Sequence, residues 1–470
     1  MDFRQSLLFC LLAILPFTCA ASSVINLGYT KYKGTALSSV VSQFLGMRYA
    51  EPPVGDLRWR APRDPSTRSG VQSADQWPPI YCLFVNVFAA SSLLVSVYTQ
   101  GGGFVTNANT NYNVSDLVVY EEVRADGDLN VGLLDQCKLL HWFGGSPRHV
   151  VIQGASAGGT SAAHHLTAYD GRDDGLFVGA IGQSLAWTRF LTVRESEGHF
   201  AWLSSRFNCS AYSRMGCLWS LDPSTNLTAL STQLLFQPVV DGAFLTAPLY
   251  SLFQQDKFLD VPLILGYDTN KGSLFAANAS TKSELSGPQI QEVVDHYPPN
   301  ESVPGRGWYF SAESEIFADG VLLCPTTWIC RSATGRANSD QPVWNYRYNF
   351  LDHIALAAGL GVPHTFETEV IFGSGQAESI SAGFAGAGAS YSTYNEAVVP
   401  VVQGYLTSFV NSLDPNTFRS PSSPEWELFE AEDEARLKLQ TNRTEVERIP
   451  QVLLEKCEIW YIFEKSIVQM

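Results

Sequence analysis

The apolar residues of this chain fall into short unbroken runs separated by polar and glycine-rich segments. "CLFVNVF" (Cys82–Phe88) and "SLLVSVYTQGGGF" (Ser92–Phe104) read as strands, the second ending in three glycines. "HVVIQG" (His149–Gly154) and "VPLILGY" (Val261–Tyr267) show the continuous hydrophobicity of strands buried on both faces. Elsewhere the period lengthens. "NVGLLDQCKLLHW" (Asn130–Trp142) carries apolar residues at helical spacing, Thr160–Tyr169 reads as the helix after the "HVVIQG" strand, and "NEAVVPVVQGYLTSFVN" (Asn395–Asn411) as a late helix. Strands alternating with helices predict an α/β fold with a central, mostly parallel sheet flanked by helices.

A chain of 470 residues, 45% hydrophobic and 16% charged, is globular and long enough to bury a large core. The formal net charge of -16 argues against nucleic acid and anionic membrane surfaces as partners. At the N-terminus, Arg4 precedes an apolar stretch from Leu7 to Phe17, and small residues follow at Cys19, Ala20 and Ala21. Residues 1–20 therefore read as a secretory signal peptide. No later stretch reaches the roughly 18 apolar residues needed to span a bilayer, so a secreted protein without stable membrane insertion is expected. Asn-x-Ser/Thr sequons at Asn113, Asn208, Asn226, Asn278, Asn300 and Asn442 agree, as candidate glycosylation sites. Cysteines in an oxidising compartment form disulfides. Cys209 with Cys217, and Cys324 with Cys330, are close enough in sequence to pair locally. With Cys10 and Cys19 in the signal, the odd remainder leaves at least one thiol without an intramolecular partner.

The chemistry centres on Gly154-Ala155-Ser156-Ala157-Gly158, between the "HVVIQG" strand and the helix after it. In such a turn the serine hydroxyl stands above the sheet, and the two glycines let strand and helix backbones approach. The N–H of the next residue, Ala157, faces the reaction centre, and the helix N-terminus favours negative charge there. The Gly101–Gly103 run after another strand offers further backbone donors to an oxyanion. His164 and His165, on the helix next to Ser156, read as helix packing or surface. A base has to reach Ser156 from another loop, and the residues alone do not choose among His296, His353 and His364. No metal or organic cofactor is implied.

The chain resembles the type-B carboxylesterase/lipase family, secreted α/β-hydrolases with cholinesterases as distant relatives. The stretches that carry the likeness include "FLGMRYAEPPVGDLRWRAP", "CLFVNVF", "QGGGF", "LNVGLLDQ", "GGSPRHVVIQGASAGG", "VPLILGYDTNKGSLF" and "GVPHTFETEVIFG", in the family's order. The resemblance implies one catalytic domain over residues 21–470, acting on small-molecule or lipid esters. It puts Ser156 on the nucleophile, Gly102, Gly103 and Ala157 on the oxyanion-hole donors, and His364 on the general base.

Two departures stand out. The family's acid precedes the glycine of the loop after "VPLILGY". Here the loop is "DTNKGS" and the position is Lys271, which cannot accept the imidazole N–H. Asp268, three residues earlier, is the possible substitute; Glu367 and Glu369 read as surface or loop residues. An impaired esterase and a non-catalytic binding or adhesion protein both remain open. Segments of the family are also missing before Cys82, between Glu122 and Asp126, and between Trp142 and Phe143. The second gap removes a strand that normally lies inside the sheet, so exposed sheet edges are expected. The first leaves Cys82 as the thiol without its family partner.

Overall fold

The computed structural model describes residues 24–37, 41–52, 54–57, 63–77, 84–89, 93–104, 130–133, 145–187, 190–209, 213–221, 237–281, 293–299, 302–336, 340–373 and 388–468. A small sheet pairs Val24–Asn26, Lys31–Lys33 and Val71–Ser73. The main sheet has 11 strands: β1 (Thr35–Ala36), β2 (Ser42–Arg48), β3 (Phe84–Ala89), β4 (Leu93–Thr99), β5 (Asn130–Leu133), β6 (Gly145–Ala155), β7 (Gly179–Gln183), β8 (Leu263–Asp268), β9 (Val343–Tyr348), β10 (Ala435–Leu439) and β11 (Glu445–Arg448). Their spatial order is β11-β10-β9-β8-β7-β6-β4-β5-β3-β2-β1. The run from β10 to β5 is parallel, and antiparallel pairs close both margins. This is the α/β-hydrolase arrangement, a large, mainly parallel sheet with helices on its faces.

The central strands are apolar throughout because both their faces are covered. Every residue of β7 and β8 is buried. One face packs helix α1 (Ala157–Thr167) through Ala162, Ala163 and Leu166. The other packs α3 (Val399–Ser412) through Val402, Leu406 and Phe409 against Ile181, Ile264 and Trp344. The late helix begins after the expected Asn395, with Pro400 in its first turn, where the missing N–H costs nothing. No helix among the described residues is long and apolar enough to cross a membrane.

Asn130–Leu133 departs from its helical periodicity. It forms β5, parallel to β4 from Leu93–Asn130 to Ser96–Leu133, and meets β3 at Phe88–Leu133. The physical reason lies in its neighbours. Without a strand between them, β3 and β4 would present unpaired N–H and C=O groups inside the sheet. The next apolar run occupies that place, so the sheet is continuous rather than gapped. Residues 134–144, and the three points at which the sequence predicts missing family segments, lie outside the described residues.

The cysteine pairing also differs in part. Cys209 bonds Cys217 as expected, but Cys324 bonds Cys457, and Cys330 is a buried free thiol. Cys324 and Cys330 both lie on α2 (Cys324–Thr334). Six residues of helix rise about 9 Å, beyond the Cα separation a disulfide bridges. Cys457 lies on α4 (Gln451–Val468), its Cα 5.1 Å from that of Cys324. Cys330 instead faces the sheet, where Asn345 Nδ2 donates to its sulfur at 3.7 Å. Cys82 and Cys137 lie outside the described residues, as do Asn113, Asn226 and Asn300; Asn208, Asn278 and Asn442 are exposed.

Candidate active site

Four segments follow the carboxyl ends of the parallel strands β4, β6, β8 and β9, the end at which open α/β sheets place their ligands. Ser156 joins β6 to α1 with φ 58° and ψ -127°. A non-glycine residue in such a conformation carries about 1–3 kcal/mol of strain and persists only where the surroundings hold it. They do. Its N–H donates to Gln183 O at 2.9 Å, at the end of β7, and its carbonyl accepts from Thr160 N at 2.9 Å. The glycines are sterically required. A Cβ on Gly154 would lie 2.5 Å from Thr99 O, and one on Gly158 only 1.9 Å from the same atom. Strand, turn and helix are in backbone contact.

The glycine loop follows β4 and lies against this turn. A Cβ on Gly101 would sit 2.8 Å from Ala155 O and 3.0 Å from Ser156 Cβ. Gly102 and Gly103 both have positive φ, at 116° and 61°, and Gln237 Nε2 donates to Gly103 O at 3.3 Å. Ala157 is buried as the first residue of α1.

His364 lies in the turn before a short helix, Glu367–Phe372. It is buried, with its ring 5.2 Å from that of Phe275. Neither ring nitrogen has a hydrogen-bond partner among the described residues, so no Ser156–His364 bond is formed here. Burial first, and Lys271 second, push its pKa down to about 3. The imidazole is neutral, the form a base requires, but its protonated form has no support. The other histidines have different settings. His164 is buried with its ring 5.6 Å from Phe190 and 6.2 Å from Phe104. His165 is exposed and bonds Ser161 O at 2.7 Å. His353 is exposed and stacks on Tyr394, and His296 is exposed.

Lys271 is fully buried. Its Nζ sits 3.2 Å above the Tyr267 ring centroid and has no hydrogen-bond partner among the described residues. Burial holds its pKa well below the ordinary lysine value, while Asp319 is the strongest charge favouring the ammonium. Asp319 is itself buried and accepts from Tyr297 OH at 3.0 Å; burial raises its pKa to about 6.

Glu367 and Glu369 are buried, not surface residues. Glu367 shares a donor with Asp268: Ser184 Oγ lies 2.8 Å from Asp268 Oδ2 and 2.8 Å from Glu367 Oε1. Burial, then the Glu367 charge, raises the Asp268 carboxyl well above the usual carboxylate range. The burial of Glu367 has a simple cause. Asp268 ends β8, Ser184 follows β7, and Glu367 lies one turn past His364 in a segment that packs onto both. Ser184, Glu367 and Asp319 carry no motif; the only sequence signal for Glu367 is its three-residue spacing from His364.

The chain matches the carboxylesterase family over residues 21–80 and 124–460, with the glycine loop between the two stretches. It resembles the crystal structure of EstA from Aspergillus niger, with a TM-score of 0.83, 36% identity, and coverage of 94% of this chain and 98% of that one. It is 25% identical to secreted lipase 4 of Gibberella zeae over 92% of each chain. It is 24% identical to the cholinesterase of Mus musculus, over 92% of this chain and 85% of that one. With the strained serine turn at the carboxyl ends of a mainly parallel sheet, these matches place the chain in the carboxylesterase family of α/β-hydrolases, which are carboxylic ester hydrolases.

Proposed function

We propose that this chain is a secreted esterase whose single catalytic unit begins after a leader at residues 1–20. Ser156 is its nucleophile and His364 its general base. Ser156 Oγ attacks the ester carbonyl carbon and its proton passes to His364. The carbonyl oxygen becomes an oxyanion, held by the N–H groups of Gly102, Gly103 and Ala157. His364 returns the proton to the leaving alcohol, and water then releases the acyl group from Ser156 by the same steps. The observation that carries this reading is the conformation of Ser156, strained and clamped by glycines against the loop that supplies the donors.

Turnover is slow. Lys271 supplies no carboxylate to orient or stabilise the imidazolium. Asp268 is the candidate substitute, but its burial and its pairing with Glu367 favour the protonated carboxyl. The test is hydrolysis of p-nitrophenyl acetate by the folded, secreted protein beside Ser156→Ala. A low rate abolished by the substitution is expected; equal rates in both would overturn the assignment. The unpartnered His364 nitrogens and Lys271 favour a second reading, a non-catalytic ester-binding member. It would be supported by complete silence in both proteins together with saturable binding of an ester.

A further inference from the structure

One described cavity is separate from the site above Ser156. It lies between α2, α4 and the segment after Ser184, with a volume of about 280 Å³, and none of Ser156, Gly101–Gly103, His364 or Lys271 lines it. Trp187, Trp328, Trp460 and Tyr461 form its apolar walls, and Arg331 stands among them. The rings are interlocked: Trp328 lies 6.2 Å from Trp187 and packs edge-on to Tyr461 at 4.7 Å. The Arg331 charge is answered by Glu434 and Glu458. The lining is therefore aromatic and close to neutral.

Two buried polar groups of this lining have no partner among the described residues. Trp187 is 3% exposed and Thr327 1% exposed, yet Trp187 Nε1 and Thr327 Oγ1 make no hydrogen bond. Both omissions are unusual, since buried donors are nearly always paired. The backbone does not explain them. Trp187 N–H donates normally to Val321 O at 2.7 Å. On the same α2 helix, Thr326 and Thr334 return their hydroxyls to the carbonyls of Leu322 and Cys330 at 2.7 and 3.0 Å. Thr327 does not.

We propose that this cavity is a second ligand site, for a neutral two-ring aromatic molecule carrying a hydrogen-bonding oxygen, a hydroxyl or a carbonyl. The volume suits it, because an engineered apolar cavity of about 150 Å³ already takes up benzene. The aromatic walls supply face and edge contacts to a planar ring. The oxygen completes Trp187 Nε1, Thr327 Oγ1 or both. The near-neutral lining disfavours a charged ligand, whose desolvation no single charge here would offset.

The test is calorimetric titration of the full chain with 2-naphthol and, for comparison, naphthalene. Saturable binding is expected, tighter for 2-naphthol. Trp187→Phe keeps the ring and removes the N–H; Thr327→Val keeps the shape and removes the hydroxyl. At least one should weaken 2-naphthol by about five- to tenfold, the worth of a typical hydrogen bond, and leave naphthalene unchanged. Because both groups are unpaired without ligand, each variant should melt at or above the temperature of the unsubstituted protein. No saturable binding by the folded chain would overturn the proposal. So would 2-naphthol affinities equal in all three proteins, since the binding would then lie elsewhere, including above Ser156. Thr327→Val keeps the test decisive if Trp187→Phe does not fold.

Discussion

Replacing Lys271 with glutamate tests the reason given for slow turnover. His364 falls from the ordinary 6.5 to about 3. At 1.36 kcal/mol per unit, this penalises the imidazolium by about 5 kcal/mol. Burial is the larger cause and stays in the variant; Lys271 is the smaller cause and goes. An opposite charge within reach typically moves a pKa by about 1–3 units. The variant should therefore recover about 1.4–4 kcal/mol of transition-state stabilisation, or about ten- to a thousandfold in kcat/KM. The loss of an orienting acid in a serine protease, about 10⁴ in rate, is of comparable size. The new carboxyl would join Asp268, Asp319 and Glu367, already a crowded set. Lys271→Glu with Asp268→Asn relieves that repulsion and should gain at least as much. The assay is p-nitrophenyl butyrate hydrolysis across pH 5–8. The acid limb should move to higher pH in the variants, because His364 takes up its proton earlier. Two folded variants no faster than the starting protein would refute the reasoning.

Acid stability follows from the buried histidines. His164 and His364 have pKa values pushed down to about 3 by burial. Between pH 6.5 and 3 the unfolded chain binds protons that these groups refuse in the fold, so their contribution to stability falls with pH. His164→Leu should gain on the parent by up to about 1.4 kcal/mol per pH unit within that window, read by urea unfolding; a constant difference would contradict it. Gly158→Ala would place a Cβ 1.9 Å from Thr99 O. It should lower esterase activity at least about a hundredfold and lower the melting temperature. Gly198→Ala, on a helix with nothing within 4 Å, should instead stabilise by about 0.5–1 kcal/mol. Removing Cys324–Cys457, with a separation of 133, should cost about 5 kcal/mol; removing Cys209–Cys217, with a separation of 8, should cost about half that. Equal losses in denaturant titrations would contradict the loop-length argument.

The serine turn was legible because its requirements are local. Five adjacent residues and the strand before them set the φ of Ser156 and the close approach at Gly154 and Gly158. β8 was legible because a strand covered on both faces is apolar at nearly every position. β5 was not, since four residues with two apolar side chains, Val131 and Leu133, suit either period. Its choice depends on unpaired backbone in β3 and β4, far along the chain. The Cys324–Cys457 pairing was hidden for a related reason: helix α2 separates the nearer thiols, and only the docking of α4 supplies the partner. Glu367 read as exposed because its partners, Asp268 and Ser184, reach it through the ends of two other strands. Lys271 was legible as a departure, but not its burial over Tyr267.

The central claim is that Ser156 is a nucleophile activated by His364. The most direct measurement is the intact mass of the folded protein after incubation with a fluorophosphonate. One phosphonyl group should be added, slowly, on the peptide containing Ser156, and faster in Lys271→Glu. Ser156→Ala should stay unlabelled. No adduct on folded protein, or an adduct that persists in Ser156→Ala, would contradict the account.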